Sequence, residues 1–222
     1  MSVSGARRPT PRDLRRRTHG QNFLVDQRVV RRFLSRADLR PDDLVVDLGA
    51  GTGALTLPLA AAGARVVAVE RDPRWAQSLR RSVTAAGLAG RVEVVEADLR
   101  RVRLPPSPYR VVSSPPFSLT TAVLSRLLDD PEQGPWRADL LLQRAVAVKR
   151  AAEPPTSLRS AAWAPWWRFE LGERVGRQAF RPVPGIDTAW LGIDKRDPPV
   201  LPTWLALGLA AALRPVWAPP NL

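Results

Sequence analysis

The stretch Val45-Val46-Asp47-Leu48-Gly49-Ala50-Gly51-Thr52-Gly53-Ala54-Leu55-Thr56 decides the fold of this chain. An apolar run ends in an acid, turns through three alternating glycines and continues in a helical pattern. Glycines let a backbone approach a ligand closely, and the following helix offers free N–H groups at its first turn. The GxGxG spacing lacks the third glycine of the GxGxxG loops that bind pyrophosphates. The pattern predicts a parallel sheet with a nucleotide-shaped pocket at this loop.

Three further apolar runs predict strands over Arg65–Glu70, 92–98 and 109–112. Glu70 lies 23 residues after Asp47, near the interval at which an acid at a strand tip meets ribose hydroxyls. Any one of these acids alone could be a solvated strand end. Because the carboxyl ends of parallel strands meet at one sheet edge, the ordered series favours a site instead. That site would gather Gly49, Glu70, Asp98, Ser114, Pro115 and Phe117.

Length and composition limit the chemistry that the chain can perform. Its 222 residues are enough for one α/β domain with a small appendage. The absence of cysteine from the sequence excludes disulfides and thiolate metal sites. The single histidine, His19, cannot build a histidine metal site or an acid/base pair. Any reaction must therefore use carboxylates, backbone groups, hydroxyls or a bound cofactor.

The charge of the chain predicts a polyanionic partner. A net charge of +13, from 34 basic and 21 acidic residues, is typical of proteins that bind nucleic acid. Residues 1–18 form an arginine-rich stretch that we interpret as a flexible arm, either a solvated tail or a segment that orders on phosphates. Its six arginines are Arg7, Arg8, Arg12, Arg15, Arg16 and Arg17. With no apolar span or signal peptide in the sequence, we expect a cytoplasmic protein.

The remaining pattern predicts alternating helices and strands. Asp26 is expected to cap a helix that starts near Gln27, and Ser118 or Thr120 to cap a later one. Helices are predicted over 53–62, 73–86, 119–128, 144–152 and 203–213, a fifth strand over 140–143, and an antiparallel pair over Trp167–Val175 and 187–194. The tryptophans at 163, 166 and 167 could stack on bases, but burial in the core is the favoured interpretation.

Read in order, the motif Gln21-Asn22-Phe23-Leu24, the glycine loop, Glu70, Asp98 and the Pro-Pro-Phe loop resemble those of rRNA adenine-N6 methyltransferases. Among these the chain is most similar to the erythromycin-resistance (Erm) methyltransferases of actinomycetes, over about residues 12 to 202. The resemblance implies a Rossmann-like, mostly parallel sheet of seven strands with an antiparallel last strand. It implies S-adenosylmethionine as methyl donor. We expect an arm (1–18), a catalytic domain (19–197) and a short C-terminal helical segment (198–222).

The same resemblance assigns roles to individual residues. Gln21, Asn22 and Leu24 would border the methionine end of the cofactor, and Gly49 and Gly51 would lie under it. Glu70 would accept hydrogen bonds from the ribose, and Asp98 one from the exocyclic amine of the cofactor's adenine. Ser114 and the loop after it would face the reactive methyl group. Within that loop, chemistry suits the Pro115 carbonyl to accept one hydrogen of the target amine and Phe117 to offer a face to a flipped base.

Two features depart from the family pattern. Ser114 stands where the family usually has asparagine, so we expect retained activity with a preference for adding one methyl group rather than two. The family normally carries a sizeable helical C-terminal domain, whereas little follows Pro202 here. The one remaining helix is expected to pack back on the catalytic domain.

The function implied by the resemblance is N6-methylation of an adenine in 23S rRNA, free or partly assembled. Such a modification would confer resistance to macrolide, lincosamide and streptogramin B antibiotics. No protein partner is implied, and we expect a monomer. Two alternatives stay open: a small-subunit rRNA adenine dimethyltransferase, and a non-catalytic RNA-binding or assembly factor on the same scaffold.

Overall fold

The computed structural model describes residues 22–106 and 108–217. Nine strands lie within these ranges: β1 (Phe23–Leu24), β2 (Leu44–Leu48), β3 (Arg65–Glu70), β4 (Val92–Glu96), β5 (Arg110–Ser113), β6 (Arg137–Gln143), β7 (Trp167–Val175), β8 (Phe180–Arg181) and β9 (Thr188–Lys195). The α-helices there are α1 (Gln27–Ala37), α2 (Thr56–Ala61), α3 (Pro73–Ala85), α4 (Thr120–Leu128), α5 (Arg144–Ala151), α6 (Leu158–Trp163) and α7 (Ala206–Leu213).

Seven of the strands form one sheet in the order β4-β3-β2-β5-β6-β9-β7. The neighbours from β4 to β6 pair in parallel. Strand β9, the last in the chain, runs antiparallel to both β6 and β7. The predicted Rossmann-like sheet with an antiparallel last strand is therefore confirmed.

The sheet is covered by helices on both faces because side chains alternate along its strands. In β2, Val45 packs into one core and Val46 into the other, and both are fully buried. Helices α1, α2 and α3 cover the first face, and α4, α5 and α6 cover the second. This arrangement leaves the carboxyl ends of the parallel strands as the open edge, where doubly wound sheets bind ligands.

A second, two-stranded sheet joins two motifs that lie far apart in the chain. Strand β1 pairs antiparallel with β8, with Phe23 opposite Arg181 and Leu24 opposite Phe180. The Asn22 side chain extends this link, because its Nδ2 donates to the Pro182 carbonyl at 2.7 Å. The sequence pattern did not predict this pairing.

Most predicted helices are confirmed, with some corrected boundaries. Asp26 caps α1, accepting from the backbone N–H groups of Arg28 and Val29. Helix α2 begins at Thr56 rather than at residue 53, since Gly53 has a φ of +87° that no right-handed helix accommodates. Helix α6 was not predicted.

The predicted cap of α4 by Ser118 or Thr120 is wrong. A short 3₁₀ turn over Phe117–Leu119 precedes the helix, and its N-cap residue is Leu119. The Thr120 hydroxyl donates to the Phe117 carbonyl instead of accepting from the first turn. The 3₁₀ turn thus connects the helix to the Pro-Pro-Phe loop without a polar cap.

The three clustered tryptophans are core residues, as favoured from the sequence. Trp163, Trp166 and Trp167 are each no more than 3% exposed. Their indole N–H groups donate to Asp129 Oδ1 and to the carbonyls of Leu201 and Leu128, at 2.8, 2.8 and 3.0 Å. Buried indoles need such partners, so the cluster is not available for base stacking.

The C-terminal segment packs only one side on the rest of the molecule. Leu205 and Leu209 contact the core on the second face of the sheet. Trp204 and Leu207 are 76% and 80% exposed. The segment therefore packs back on the sheet, as expected, while much of its apolar surface stays open. No helix in the described ranges has the length and apolar character needed to cross a membrane.

Candidate functional site

A cleft of about 740 Å³, counted out to its open mouth, lies at the carboxyl ends of β2, β3 and β5 and beside the residues that follow β4. Six residues predicted to form the site line it together: Asn22, Gly49, Gly51, Glu70, Asp98 and Ser114. They come from five separate segments of the chain. The parallel sheet brings these segments to one edge because each follows or flanks a strand end there.

The glycine loop is held in a conformation that excludes side chains. Gly49 and Gly51 have φ angles of +84° and +55°. A Cβ atom on Gly49 would lie 2.8 Å from the ring of Pro116, and one on Gly51 would lie 2.8 Å from the ring of Phe23. The glycines therefore allow the Pro-Pro-Phe loop and the Asn22 segment to close directly over the loop, in addition to allowing a ligand to approach.

Glu70 is oriented by backbone groups on both sides of its carboxylate. Its Oε2 accepts from the Gly51 N–H at 2.9 Å, and its Oε1 accepts from the Asp72 N–H at 2.8 Å. The residue is only 6% exposed. Each carboxylate oxygen has a further lone pair, so two adjacent hydroxyl donors can still bind to the fixed group.

Asp98 is engaged by a neighbouring arginine. The backbone N–H and the guanidinium of Arg100 both donate to its carboxylate, at distances from 2.5 to 3.1 Å. These hydrogen bonds hold the pKa of Asp98 well below its usual range. A second guanidinium, that of Arg71, lies 3.7 Å away and also lines the cleft. Two of the Arg100 contacts reach each carboxylate oxygen, so an amine donor that binds Asp98 would share an oxygen with Arg100.

Ser114 connects the cleft to a smaller cavity beside it. Its Oγ is buried and has no hydrogen-bond partner among the described residues. Asn22, Leu24, Gly49 and Asp47 line the smaller cavity as well. A buried hydroxyl without a partner is costly. Its position therefore marks a place where a polar ligand group fits.

Pro115 and Phe117 follow Ser114 in the loop but do not line the cleft. Pro115 is buried, and Phe117 packs edge-to-face on Phe180 with ring centroids 6.0 Å apart. The contact anchors the loop to the β1–β8 sheet. Together with the close approach of Pro116 to Gly49, it connects the Pro-Pro-Phe loop to the glycine loop and to the Phe180 segment.

A family model described as ribosomal RNA adenine dimethylase matches residues 12–206, which include all nine strands and every residue of the cleft. The chain belongs to this family. The resemblance to Erm-type methyltransferases is confirmed by its relatives. The rRNA adenine N-6-methyltransferase of Corynebacterium diphtheriae is 38% identical over 188 residues, which are 84% of this chain and 71% of that protein.

Two further similarities are to an antibiotic-resistance protein and to a 23S rRNA methyltransferase. The mycinamicin-resistance protein MyrB of Micromonospora griseorubida is 43% identical over 183 residues, covering 82% of this chain and 56% of that protein. The solved structure of the 23S rRNA methyltransferase ErmE has a TM-score of 0.74 at 34% identity, covering 83% of this chain and 74% of that one. Small-subunit rRNA methyltransferases A of Leifsonia xyli and Streptomyces coelicolor match at 38% and 36% identity.

Asp47 lines the smaller cavity, and the sequence pattern assigned it no role. It is 2% exposed, and the Thr56 hydroxyl donates to its Oδ2 at 2.7 Å. Burial raises the pKa of Asp47 to about 7, against the opposing hydrogen bonds from Thr56 and Ser113. The signal was its place at the end of the first strand, directly before the glycine loop.

Several other lining residues were also missed, among them Phe23, Arg71, Leu99 and Leu119. Phe23 packs edge-to-face on Trp75 with ring centroids 5.0 Å apart, which forms one wall of the cleft. Predicted residues that lie outside the described part of the chain are Gln21 and the arginines at 7, 8, 12, 15, 16 and 17.

Proposed function

We propose that this chain is an S-adenosylmethionine-dependent methyltransferase that modifies the N6 amine of an adenine in 23S rRNA. The convergence of Asn22, Gly49, Glu70, Asp98 and Ser114 on one cleft supports this most directly. Family membership supports the same reaction, because its relatives carry the names of rRNA adenine methyltransferases. The chain spans 71% of the length of the Corynebacterium diphtheriae relative and 56% of the length of MyrB.

The polar groups of the cleft fit S-adenosylmethionine. When bound, this cofactor supplies a methyl group that its sulfonium makes electrophilic. Glu70 would accept hydrogen bonds from the two ribose hydroxyls, with its carboxylate held in place by the Gly51 and Asp72 N–H groups. Asp98 would accept from the exocyclic amine of the cofactor's adenine. Asn22, Leu24 and Gly49 line the smaller cavity and would border the methionine end.

The target adenine binds at the Pro-Pro-Phe loop. The Ser114 hydroxyl and the Pro115 carbonyl accept the hydrogens of the N6 amine, which directs its nitrogen at the methyl group. Phe117 offers a ring face to the flipped base. Once methylated, the amine nitrogen would carry a positive charge and would readily release its proton to water, so no strong general base is required. A site without a catalytic histidine or cysteine therefore suits this chemistry.

Ser114 is proposed to limit the number of methyl groups added. A serine oxygen accepts one hydrogen bond, but it has a shorter reach than asparagine and lacks its amide donor. After the first transfer the amine keeps a single hydrogen, and the shorter residue orients it less firmly. We expect one methyl group to be preferred over two.

The positive charge of the chain supports an RNA substrate. The net charge of +13 favours RNA, and residues 1–18 are proposed as a separate arm that contacts phosphates beside a catalytic domain over 19–197 and a helical segment over 198–222. The expected partner is free or partly assembled 23S rRNA in the cytoplasm. The protein is expected to act as a monomer.

Drug resistance in cells tests the proposed function. A macrolide-sensitive bacterium would express either the full chain or its Asp98→Ala variant, each checked for folding by thermal unfolding. Growth on macrolide, lincosamide and streptogramin B drugs is expected with the first and a marked reduction with the second. An unchanged drug response would favour a small-subunit enzyme. Equal resistance from both proteins would favour a non-catalytic binding factor.

A further inference from the structure

A basic pocket lies on the second face of the sheet, away from the cofactor cleft. Its cations are Lys149, Arg150, Arg159 and Arg214, and we use the name basic pocket for these four residues and the walls between them. The ends of α4 and α5, helix α6 and helix α7 form the walls. The cavity measures about 550 Å³. Such a volume admits a phosphate group.

Within the part of the chain that the structure describes, these four cations form no ion pair with a carboxylate. Arg150 donates from Nη1 to the hydroxyls of Ser157 and Ser160 at 2.9 and 3.1 Å. Arg159 donates to the Ser125 hydroxyl at 2.7 Å. The single acid on the pocket wall, Asp129, accepts from the Trp163 indole N–H instead.

The two guanidinium groups are brought together over one aromatic ring. The Cζ atoms of Arg150 and Arg159 lie 5.3 and 5.8 Å from the centroid of Trp163. Arg150 is half-buried, and its Nε is buried without a hydrogen-bond partner among the described residues. Burial and the charge of Arg159 both lower the pKa of Arg150. A half-buried guanidinium close to a second cation costs free energy unless an anion joins them.

The basic pocket has a defined position relative to the reactive loop. Helix α4 has nine residues and runs from the Pro-Pro-Phe loop to Asp129 on the pocket wall. At about 1.5 Å per residue, its length is roughly 13 Å. A nucleic-acid strand that advances about 3.4 Å per base step in a duplex covers this distance in about four steps.

We propose that the basic pocket is a phosphate-anchoring site for the RNA segment that flanks the target adenine. The inference rests on the proposed function, and it adds a second contact point on the catalytic domain. Guanidinium groups bind phosphate oxygens through paired N–H donors, and the hydroxyls of Ser157 and Ser160 keep the Arg150 fork oriented. The anchor fixes the strand a few nucleotides from the flipped base.

The test uses the full chain with the double substitution Lys149→Gln and Arg159→Gln. Both residues are exposed, so the fold and the cofactor affinity are expected to stay unchanged. Binding to a protein-free 23S rRNA transcript is expected to weaken at least about tenfold, because charge-assisted bonds are lost. The slope of log affinity against log salt is expected to flatten by about 1.4 to 1.8 for two phosphate contacts.

Two controls make the experiment specific. Arg81→Gln removes an exposed arginine from α3 on the opposite face and is expected to leave the salt slope nearly unchanged. A short hairpin that ends two base pairs from the target adenine cannot reach the basic pocket. Its affinity is expected to be equal for the double variant and the parent chain.

An unaltered salt slope in the double variant would overturn the proposal. So would an equal effect from Arg81→Gln, or an equal loss on the short hairpin. The proposal and the proposed function fail separately. If the parent chain transfers no methyl group to any rRNA while the double variant still loses affinity and slope, the anchor stands and the enzymatic function falls.

Discussion

The buried hydroxyl of Ser114 is the group on which the proposed chemistry most depends. It lines both the cleft and the smaller cavity, and it lacks a hydrogen-bond partner in the described structure. In most buried sites a hydroxyl is satisfied by the protein itself. A hydroxyl left without a partner at the border of both cavities is suited to holding one hydrogen of an amine.

Replacing Ser114 with asparagine tests how this residue limits the reaction. Ser114→Asn restores a longer acceptor and an amide donor, so the share of dimethyladenine in the product is expected to rise above that of the parent chain. The ratio of mono- to dimethyladenine in digested 23S rRNA would be measured by mass spectrometry. A parent chain that already produces mainly dimethyladenine would contradict the proposed limit.

Asp98 is expected to contribute to cofactor affinity despite its contact with Arg100. Asp98→Ala removes a hydrogen bond to a charged group and should weaken binding of S-adenosylmethionine by about 1.5–3 kcal/mol. Asp98→Asn keeps an acceptor oxygen and serves as the matched control, with a smaller loss. Calorimetric titration measures both. Equal affinity of the alanine variant and the parent chain would remove Asp98 from the binding site.

Asp47 is expected to make stability depend on pH. Burial raises its pKa from the ordinary 3.8 to about 7. Between these values the folded chain keeps a proton that the unfolded chain has lost, so the free energy of unfolding falls as pH rises through this range. The loss reaches at most about 4 kcal/mol. Asp47→Asn keeps the acceptor for Thr56 and has no proton to lose.

Thermal unfolding of both proteins from about pH 5 to about pH 8 measures this effect. The midpoint of the parent chain is expected to fall relative to that of the Asp47→Asn variant as pH rises. Parallel curves over the whole range would show that Asp47 titrates near its ordinary value in the folded chain.

The β1–β8 sheet links the Phe23 and Phe180 segments, which lie far apart in the chain. Phe23 covers Gly51 and forms a wall of the cleft, while Phe180 supports Phe117 in the reactive loop. Each strand has only two residues, which is too short for any alternation of apolar and polar positions to appear. Sequence periodicity therefore could not predict the pairing.

Arg110 ties several elements together at the opposite edge of the sheet. Its guanidinium is 1% exposed and lies 3.1 Å from Asp43 and 3.5 Å from the fully buried Asp139. It also donates to the carbonyls of Ala37 and Asp38 at the end of α1. Buried charges of this kind are stabilised by well-placed ionic partners and hydrogen bonds rather than by hydrophobic packing.

Arg110→Ala is expected to destabilise the fold by about 3–5 kcal/mol, because it removes one cation of a buried ion-pair cluster and the donor to the carbonyls of Ala37 and Asp38. Chemical unfolding measures the loss. Arg65→Ala is the control, since this exposed arginine begins β3, two strands away from β5, and has no carboxylate partner among the described residues. A loss from Arg110→Ala no larger than that of the control would mean that water or Arg137 compensates Asp139.

Over the whole molecule, periodic features could be predicted and long-range contacts could not. The seven strands of the main sheet, most helices and the residues Glu70 and Asp98 follow from apolar runs and from acids at strand ends, and Ser114 follows from its place after the fourth run. The Arg100 contact with Asp98, the ionic cluster of Arg110 and the wall formed by Phe23 depend on side-chain geometry. No spacing rule encodes such contacts, because they arise from how the finished sheet packs.

Two separate regions of the molecule have different roles in the proposed function. The carboxyl edge of the sheet holds the cofactor cleft and the Pro-Pro-Phe loop, and the second face of the sheet holds the basic pocket. Helix α4 connects them, since it begins after the loop and ends at the pocket wall. An RNA substrate that contacts both would be positioned by its flank before its adenine enters the cleft.

Methyl transfer from labelled S-adenosylmethionine to protein-free 23S and 16S rRNA, with the modified base mapped, tests the central claim most directly. We predict label at the N6 position of one adenine in 23S rRNA and none in 16S rRNA. Label confined to 16S rRNA, or no label on either RNA from a folded protein that binds the cofactor, would contradict it.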